Sequence, residues 1–230
     1  AGSLRIDQRD FSGALSLFEA AQSRYESIGD RSAVGRALLK KGIAHSYQGE
    51  PVESLAYLIS ALDFLDPQVD GRMIFIAVHN LTDVRIRLDR FEEAQRGLRA
   101  TRPLYDHFAG EIDLLKRQGQ EGKVAAGLGR LRRAETIFEK VRSDYEVREL
   151  PFHWALTSLD LAAVWVRQRR YFEVRALADE LVGAFRSLGV RREALAALLL
   201  FQEAAVTERA TLAVIQTVVT RVERASQSGD

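Results

Sequence analysis

An all-α stack of repeated helix pairs is what this sequence predicts, and three observations predict it. Shifted by 40 residues, the chain falls onto itself, and self-similarity at a fixed period marks a repeat architecture. Leu, Ala, Arg and Glu dominate, with four prolines in 230 residues, a helix-forming composition. No segment alternates β-branched residues as a half-buried strand would.

The period is visible in columns. Phe11, Pro51, Phe91, Leu131 and Tyr171 share one phase. Three residues on stand Ala14, Ser54, Ala94, Ala134 and Val174, and four further Phe18, Leu58, Leu98, Phe138 and Ala178. These offsets put a bulky, a small and a second bulky side chain on one helical face. The small residue lets a neighbouring helix approach closely. Leu4, Ala44, Val84, Val124, Val164 and Ala204 form a column in the preceding helices. Two-residue turns follow it, at Arg9-Asp10, Gly49-Glu50, Asp89-Arg90, Gly129-Arg130 and Arg169-Arg170. Helix, tight turn and second helix make an αα-hairpin.

The elements follow in order. The chain opens on half a hairpin, 1–28: residues 1–8 read as the tail of a first helix and 10–28 as its partner. Because it opens inside a helix, the native protein is expected to continue upstream. Five full hairpins come next, at 31–68, 71–108, 111–149, 151–188 and 191–227. Gly29-Asp30, Asp66-Pro67, Asp70-Gly71, Gly110, Glu149-Leu150-Pro151 and Gly189 separate them; Gly suits a left-handed helix end and Pro a helix start. Pro103 falls inside a second helix, where it removes a hydrogen bond at a cost of ~3 kcal/mol, so a kink or early break is expected there. Gly119, Gly122, Gly127 and Gly129 predict that residues 111–130 are the least rigid part of the array. The segment LAALLLF at 195–201 is apolar almost all round and must be covered. Leu212, Ile215, Val218, Val219 and Val222 of the last second helix are expected to cover it. The result is either a packed cap or residual apolar surface for weak self-association into a homodimer.

Bulk properties narrow the function. Hydrophobic residues make up 47% and charged residues 28% of the chain, which disfavours disorder. Thirty-three basic residues against 32 acidic ones leave a net charge of +1, so no global field draws the protein to nucleic acid or an anionic membrane. The chain has no cysteine, which excludes disulfides, thiolate chemistry and cysteine zinc sites. No apolar stretch reaches the ~18 residues needed to span a bilayer, and no signal peptide opens the chain. A cytoplasmic location is the expectation.

The segments AHSYQGEPVESLAYLISA, with Gly42, Ala44, Gly49 and Ala61, and HNLTDVRIRLDRFEEA at 79–94 resemble tetratricopeptide (TPR) repeats. The usual repeat there has ~34 residues, so this is a longer, 40-residue variant. The family's aromatic at the start of the second helix is matched by Phe11, Phe91 and Tyr171 and lost at Pro51 and Leu131. Its first-helix glycine is matched at Gly42 and Gly122, and replaced by Thr82, Ala162 and Gln202. The resemblance spans nearly the whole chain. It implies a right-handed TPR-like superhelix (a solenoid) of about five and a half helix pairs, a concave face lined by first helices, and partner binding without catalysis. SLRIDQRDFSGALSLFEAA, AAGLGRLRRAETIF and FRSLGVRREALAALLLFQEAA also resemble the C-terminal repeat regions of certain bacterial regulatory proteins. Those carry an N-terminal zinc-finger, anti-sigma-factor-like head, which this cysteine-free chain does not contain.

The search for chemistry finds no enzyme signature. His45, His79, His107 and His153 lack metalloprotease spacing. His79 and Asp83 share a helical face, but with no third ligand in sequence a solvated or groove-lining pair is the better reading. GQEGKV at 119–124 lacks both the hydroxyl residue and the strand of a phosphate loop, and GLGRL at 127–131 reads as a helix end and turn. Trp154 and Trp165 are assigned to core packing ahead of a binding hot spot. No cofactor and no metal are expected.

What remains is the polar content of the repeat. In the resembled family one first-helix position faces the groove, and here it reads Lys40, Asn80, Gln120, Asp160 and Leu200. Three residues on come Ile43, Asp83, Lys123, Ala163 and Glu203, and seven on Tyr47, Arg87, Gly127, Arg167 and Thr207. The candidate partner-binding groove is therefore Lys40, Tyr47, His79, Asn80, Asp83, Arg87, Gln120, Lys123, Asp160 and Arg167. Such a face suits an extended peptide backbone with a carboxylate; the alternative is a plain solvated helix surface. A rival site is a basic edge of Arg90, Arg130, Arg133 and Arg170 for nucleic acid or another polyanion. Glu92, Glu93, Asp89, Glu135 and Glu173 lie close enough to offset it, which favours a solubilising rim. The sequence thus predicts a non-catalytic protein- or peptide-binding scaffold of a bacterial regulatory protein, with no membrane partner.

Overall fold

Helix ends show how the sequence builds the fold. The computed structural model describes residues 2–7, 10–187, 192–206, 209 and 211–227. At turn after turn the chain enters the left-handed region: Gly29, Gly49 and Gly129 do so, and so do Asp89, Glu149 and Arg169 at φ 55°, 53° and 59°. The next residue's N–H then returns to the carbonyl five residues back, as from Glu50 to His45, Arg90 to Arg85, Arg130 to Ala125 and Arg170 to Trp165. This closure satisfies carbonyls that a helix end leaves open and reverses the chain in two residues. Helix starts carry matching signals: Asp10 and Asp30 accept from the amides of Gly13 and Ala33, and Pro51 and Pro151 open their helices.

The chain divides into two compact units, residues 1–120 and 121–230. The first contains α1 (Gly2–Asp7), α2 (Phe11–Ser27), α3 (Arg31–Gln48), α4 (Pro51–Phe64), α5 (Gly71–Arg87), α6 (Phe91–Ala100) and α7 (Arg102–Phe108). Successive helices pack on one another: α2 on α3, α3 on α4, α4 on α5, and α5 on both α6 and α7. The expected break at Pro103 is present, since α6 stops at Ala100 and Pro103 lies in the first turn of α7. The division falls within α8 (Glu111–Gly127).

The second unit contains α9 (Leu131–Val147), α10 (Pro151–Arg167), α11 (Tyr171–Ser187), α12 (Arg192–Val206) and α13 (Leu212–Gln227). Here the last pair closes a ring: α10 packs on α11, α11 on α12, α12 on α13, and α13 returns along α10. Ile215, Val218, Val222 and Ala225 form the buried stripe of α13, and Ala194, Leu198 and Phe201 are sealed within α12. Leu198 and Phe201 of LAALLLF are therefore covered by their own chain. Val206 and Leu212 stay exposed.

The small-residue column is the axis of the packing. Ala14, Ser54, Ala94, Ala134 and Val174 are all 0% exposed, and Phe18, Leu58, Leu98, Phe138 and Ala178 beside them are buried. Ser54 keeps its hydroxyl satisfied by donating to the Gly42 carbonyl at 2.7 Å. In the first-helix column Ala44, Val84, Val124 and Val164 are buried, while Ala204 is only partly so and Ala205 takes the buried place. That one-residue offset belongs to the helix pair that closes the ring. The structure is all-α among the described residues, a repeat of antiparallel helix pairs as the sequence predicts.

Candidate functional site

The first helices carry the polar columns, and their side chains spend much of their bonding capacity within the protein. In the first unit Lys40 is exposed and donates to the Ser3 hydroxyl at 3.1 Å. Asn80 donates to the Ile76 carbonyl of its own helix. His79 meets the Tyr105 hydroxyl at 2.7 Å through Nδ1, while its Nε2 lies 3.8 Å from Asp83. Gln120 is buried; its amide donates to the His79 carbonyl at 3.1 Å, and its oxygen finds no partner. Tyr47 is exposed at 45%. In the second unit Lys123 and Asp160 face each other at 3.4 Å, pairing two successive first helices.

The third polar column has a repeated task. Arg87 donates to the Ser46 carbonyl at the end of α3, and Arg167 to the Ala126 carbonyl near the end of α8. A cation at a helix C-terminus meets open carbonyls and the negative end of the dipole. Each arginine therefore ties a first helix to the preceding one while keeping its outer part exposed. Leu200 and Thr207 of these columns lie outside the described side chains.

The arginine edge divides. Arg90 is held by Glu93 through two hydrogen bonds of 2.6 and 2.7 Å. Arg170 is held by Glu135 and by Glu173, and lies over the Trp165 ring. Hydrogen bonds from Arg90 and Arg170 hold the Glu93 and Glu173 carboxyls below the ordinary glutamate value. Burial alone would raise Glu135, but hydrogen bonds from Trp165, Arg170 and Gln168 override it and lower it. These pairs offset two members of the edge. Arg130 and Arg133 are exposed, and among the described residues no acid pairs with either.

Sequence reasoning missed the polar cluster beneath Lys40. Lys41 is 4% exposed, pairs with Glu19, donates to the Gln22 side-chain oxygen at 3.1 Å and lies over the Tyr57 ring. His45 stacks on the same ring and meets Glu50 at 2.6 Å. The signal was present: Lys41 occupies the phase of Leu81, Leu161 and Phe201, all buried. A lysine in a core column needs partners. Trp154 is in the core, and Trp165 is partly buried with its Nε1 donating to Glu135. Among the described residues no group of three or more metal-type side chains converges, and no helix is long and apolar enough to cross a membrane.

No family model matches the chain, and no curated protein matches it. Among solved structures it is similar to a Rap protein complexed with Competence and Sporulation Factor.

The likeness is one of fold.

The two superpose with a TM-score of 0.73 over 98% of this chain at 15% sequence identity. This chain covers 63% of the Rap protein chain. The shared fold agrees with the TPR-like helical repeat read from the sequence.

Proposed function

We propose that this chain is a non-catalytic scaffold that binds a protein or peptide partner in extended form along its first helices. The observation that carries the proposal is the fold, whose likeness to a Rap protein crystallised with Competence and Sporulation Factor runs through 98% of the chain. The polar columns support it. Lys40, Tyr47, His79, Asn80, Asp83 and Arg87 are presented by α3 and α5 of the first unit, with Gln120 buttressing the His79 carbonyl. Lys123, Asp160 and Arg167 are presented by α8 and α10 of the second. In this reading Lys40 meets a carboxylate, and Asn80 exchanges its intrahelical bond for a peptide amide, donating and accepting at once. A cytoplasmic, bacterial regulatory role completes the proposal; its bacterial regulatory part rests on the sequence resemblance alone.

The test starts by capturing a partner on the whole chain and then measures its affinity for Lys40→Ala combined with Asn80→Ala. Each lost charge-assisted bond is expected to cost about 1.5–3 kcal/mol of binding. The melting temperature should move little, since Lys40 is exposed and the half-buried Asn80 gives up only a bond within its own helix. Unchanged affinity removes the site from this face. A large loss of melting temperature makes both residues structural.

A further inference from the structure

α4 is apolar on two sides, and only one of them is covered. Its inner face packs through Ser54, Leu58 and Ala61, all 0% exposed. Its outer face carries Val52, Ala56 and Ile59, at offsets of four and seven that share one side of a helix. Val52 is 62% and Ile59 43% exposed, and Ala56 is open between them. Other second helices are polar here. Ile59 stands where Glu19, Arg99, Glu139 and Asp179 stand in their repeats, and Ala56 where Arg96 and Thr136 do. A helix that is apolar all round belongs in a core. The outer triplet is also bulky, small and bulky, the pattern with which second helices pack inside the array. The charges beside it have one sign. Glu53 and Asp63 are the only charged side chains of α4. Both are exposed, and among the described residues neither pairs with a cation. Arg31 reaches this end of α4, but it donates to the Asp63 carbonyl at 3.0 Å and lies over the Phe64 ring, which leaves the carboxylate open.

We propose that the outer face of α4 docks an amphipathic helix of a protein partner, with one apolar stripe and a lysine or arginine at each end of it. Ala56 lets a helix backbone approach closely, and Val52 and Ile59 supply ridges on either side. Glu53 and Asp63 stand about 15 Å apart along the axis at 1.5 Å per residue, which sets the spacing of the two cations. A second copy of this helix fits poorly, because α4 against α4 gathers four carboxylates and offers them no cation. An anionic membrane surface meets the same two carboxylates with like charge. The face stands on a second helix, so it is independent of the first-helix site.

Fluorescence anisotropy of the full chain with a labelled synthetic helix tests this. The probe carries leucines at i, i+3, i+4 and i+7, alanines elsewhere and a lysine at each end, ten residues apart. Its two controls exchange the lysines for glutamates or scramble the leucines. The lysine-flanked helix is expected to bind and the controls not. Val52→Gln with Ile59→Gln should weaken binding by about tenfold or more. The fold should survive, because both positions are exposed and Gln forms helix better than Val or Ile. Glu53→Lys with Asp63→Lys should reverse the preference, so that the glutamate-flanked helix binds instead. Ile28→Gln with Val147→Gln removes exposed apolar side chains elsewhere and should leave affinity unchanged. Equal binding of the lysine and glutamate helices, no binding of either, or equal weakening by the two glutamine pairs each overturns the proposal. So does a doubled mass of the chain alone that Val52→Gln with Ile59→Gln abolishes, since a second copy then occupies the face. Lys40→Ala with Asn80→Ala should not alter this binding, so failure here is distinct from failure of the first-helix site.

Discussion

Asp70 shows how one residue joins two repeats. Its carboxylate is buried, accepts from Ser32, from Arg36 at 2.8 Å and from the Asp66 amide at 3.2 Å, and so links the start of α3 to the start of α5. Burial alone would raise its pKa; the hydrogen bonds from Ser32, the Asp66 amide and Arg36 overcome this and leave it below the ordinary 3.8. A carboxyl depressed in the native state stabilises the fold above its unfolded pKa and loses that contribution as pH falls through the lower native value. Acid denaturation should therefore begin from a lower starting stability but fall less steeply with pH in Asp70→Asn than in the parent. Urea unfolding at a series of pH values between neutral and strongly acid measures both slopes; parallel slopes would show that Asp70 does not titrate on unfolding. Much at this scale was hidden in the sequence. Lys40 and Lys41 are adjacent identical letters, one exposed and one buried. Only their phase distinguishes them, and Gln120 is buried in a phase where Lys40 is open.

Helices were far easier to read than side chains, because period and turn chemistry agree. The buried column Ala14, Ser54, Ala94, Ala134 and Val174 and the break at Pro103 follow from spacing and from proline's missing donor. The ring made by α10 to α13 does not follow, because repeat phase fixes which face is apolar without fixing which neighbour covers it. Glycines in α8 illustrate the same limit. A Cβ on Gly122 would stand 2.6 Å from the Phe138 ring, whereas one on Gly119 meets nothing within 4 Å. Gly119→Ala should stabilise the protein by roughly 0.5–1 kcal/mol through helix propensity. Gly122→Ala should destabilise it by about 1–3 kcal/mol through overpacking. Thermal melts of the two single variants check this, and shifts of the same sign would mean that α8 and α9 do not approach as described.

At the scale of the molecule, stability in a repeat array is a sum of repeats and nearest-neighbour interfaces. Phe138 sits in one such interface, buried among Ala125, Ala134, Leu161 and Val164. Phe138→Ala should cost about 3–5 kcal/mol, and native-state hydrogen exchange should show where. Protection is expected to fall in α9, α10 and the facing end of α8 while α3 to α5 keep theirs; a uniform loss would mean that the chain unfolds as one cooperative body. The ties between first helices extend this logic to inheritance. Arg87 reaches Ser46, Gln120 reaches His79 and Arg167 reaches Ala126, each across 41 residues. In-frame loss of residues 71–150 would remove two whole periods and leave Arg167 facing the Ser46 carbonyl at that same span. Gene duplication or deletion in whole repeats therefore arrives with its junction already made, whereas a gain or loss of a few residues severs one.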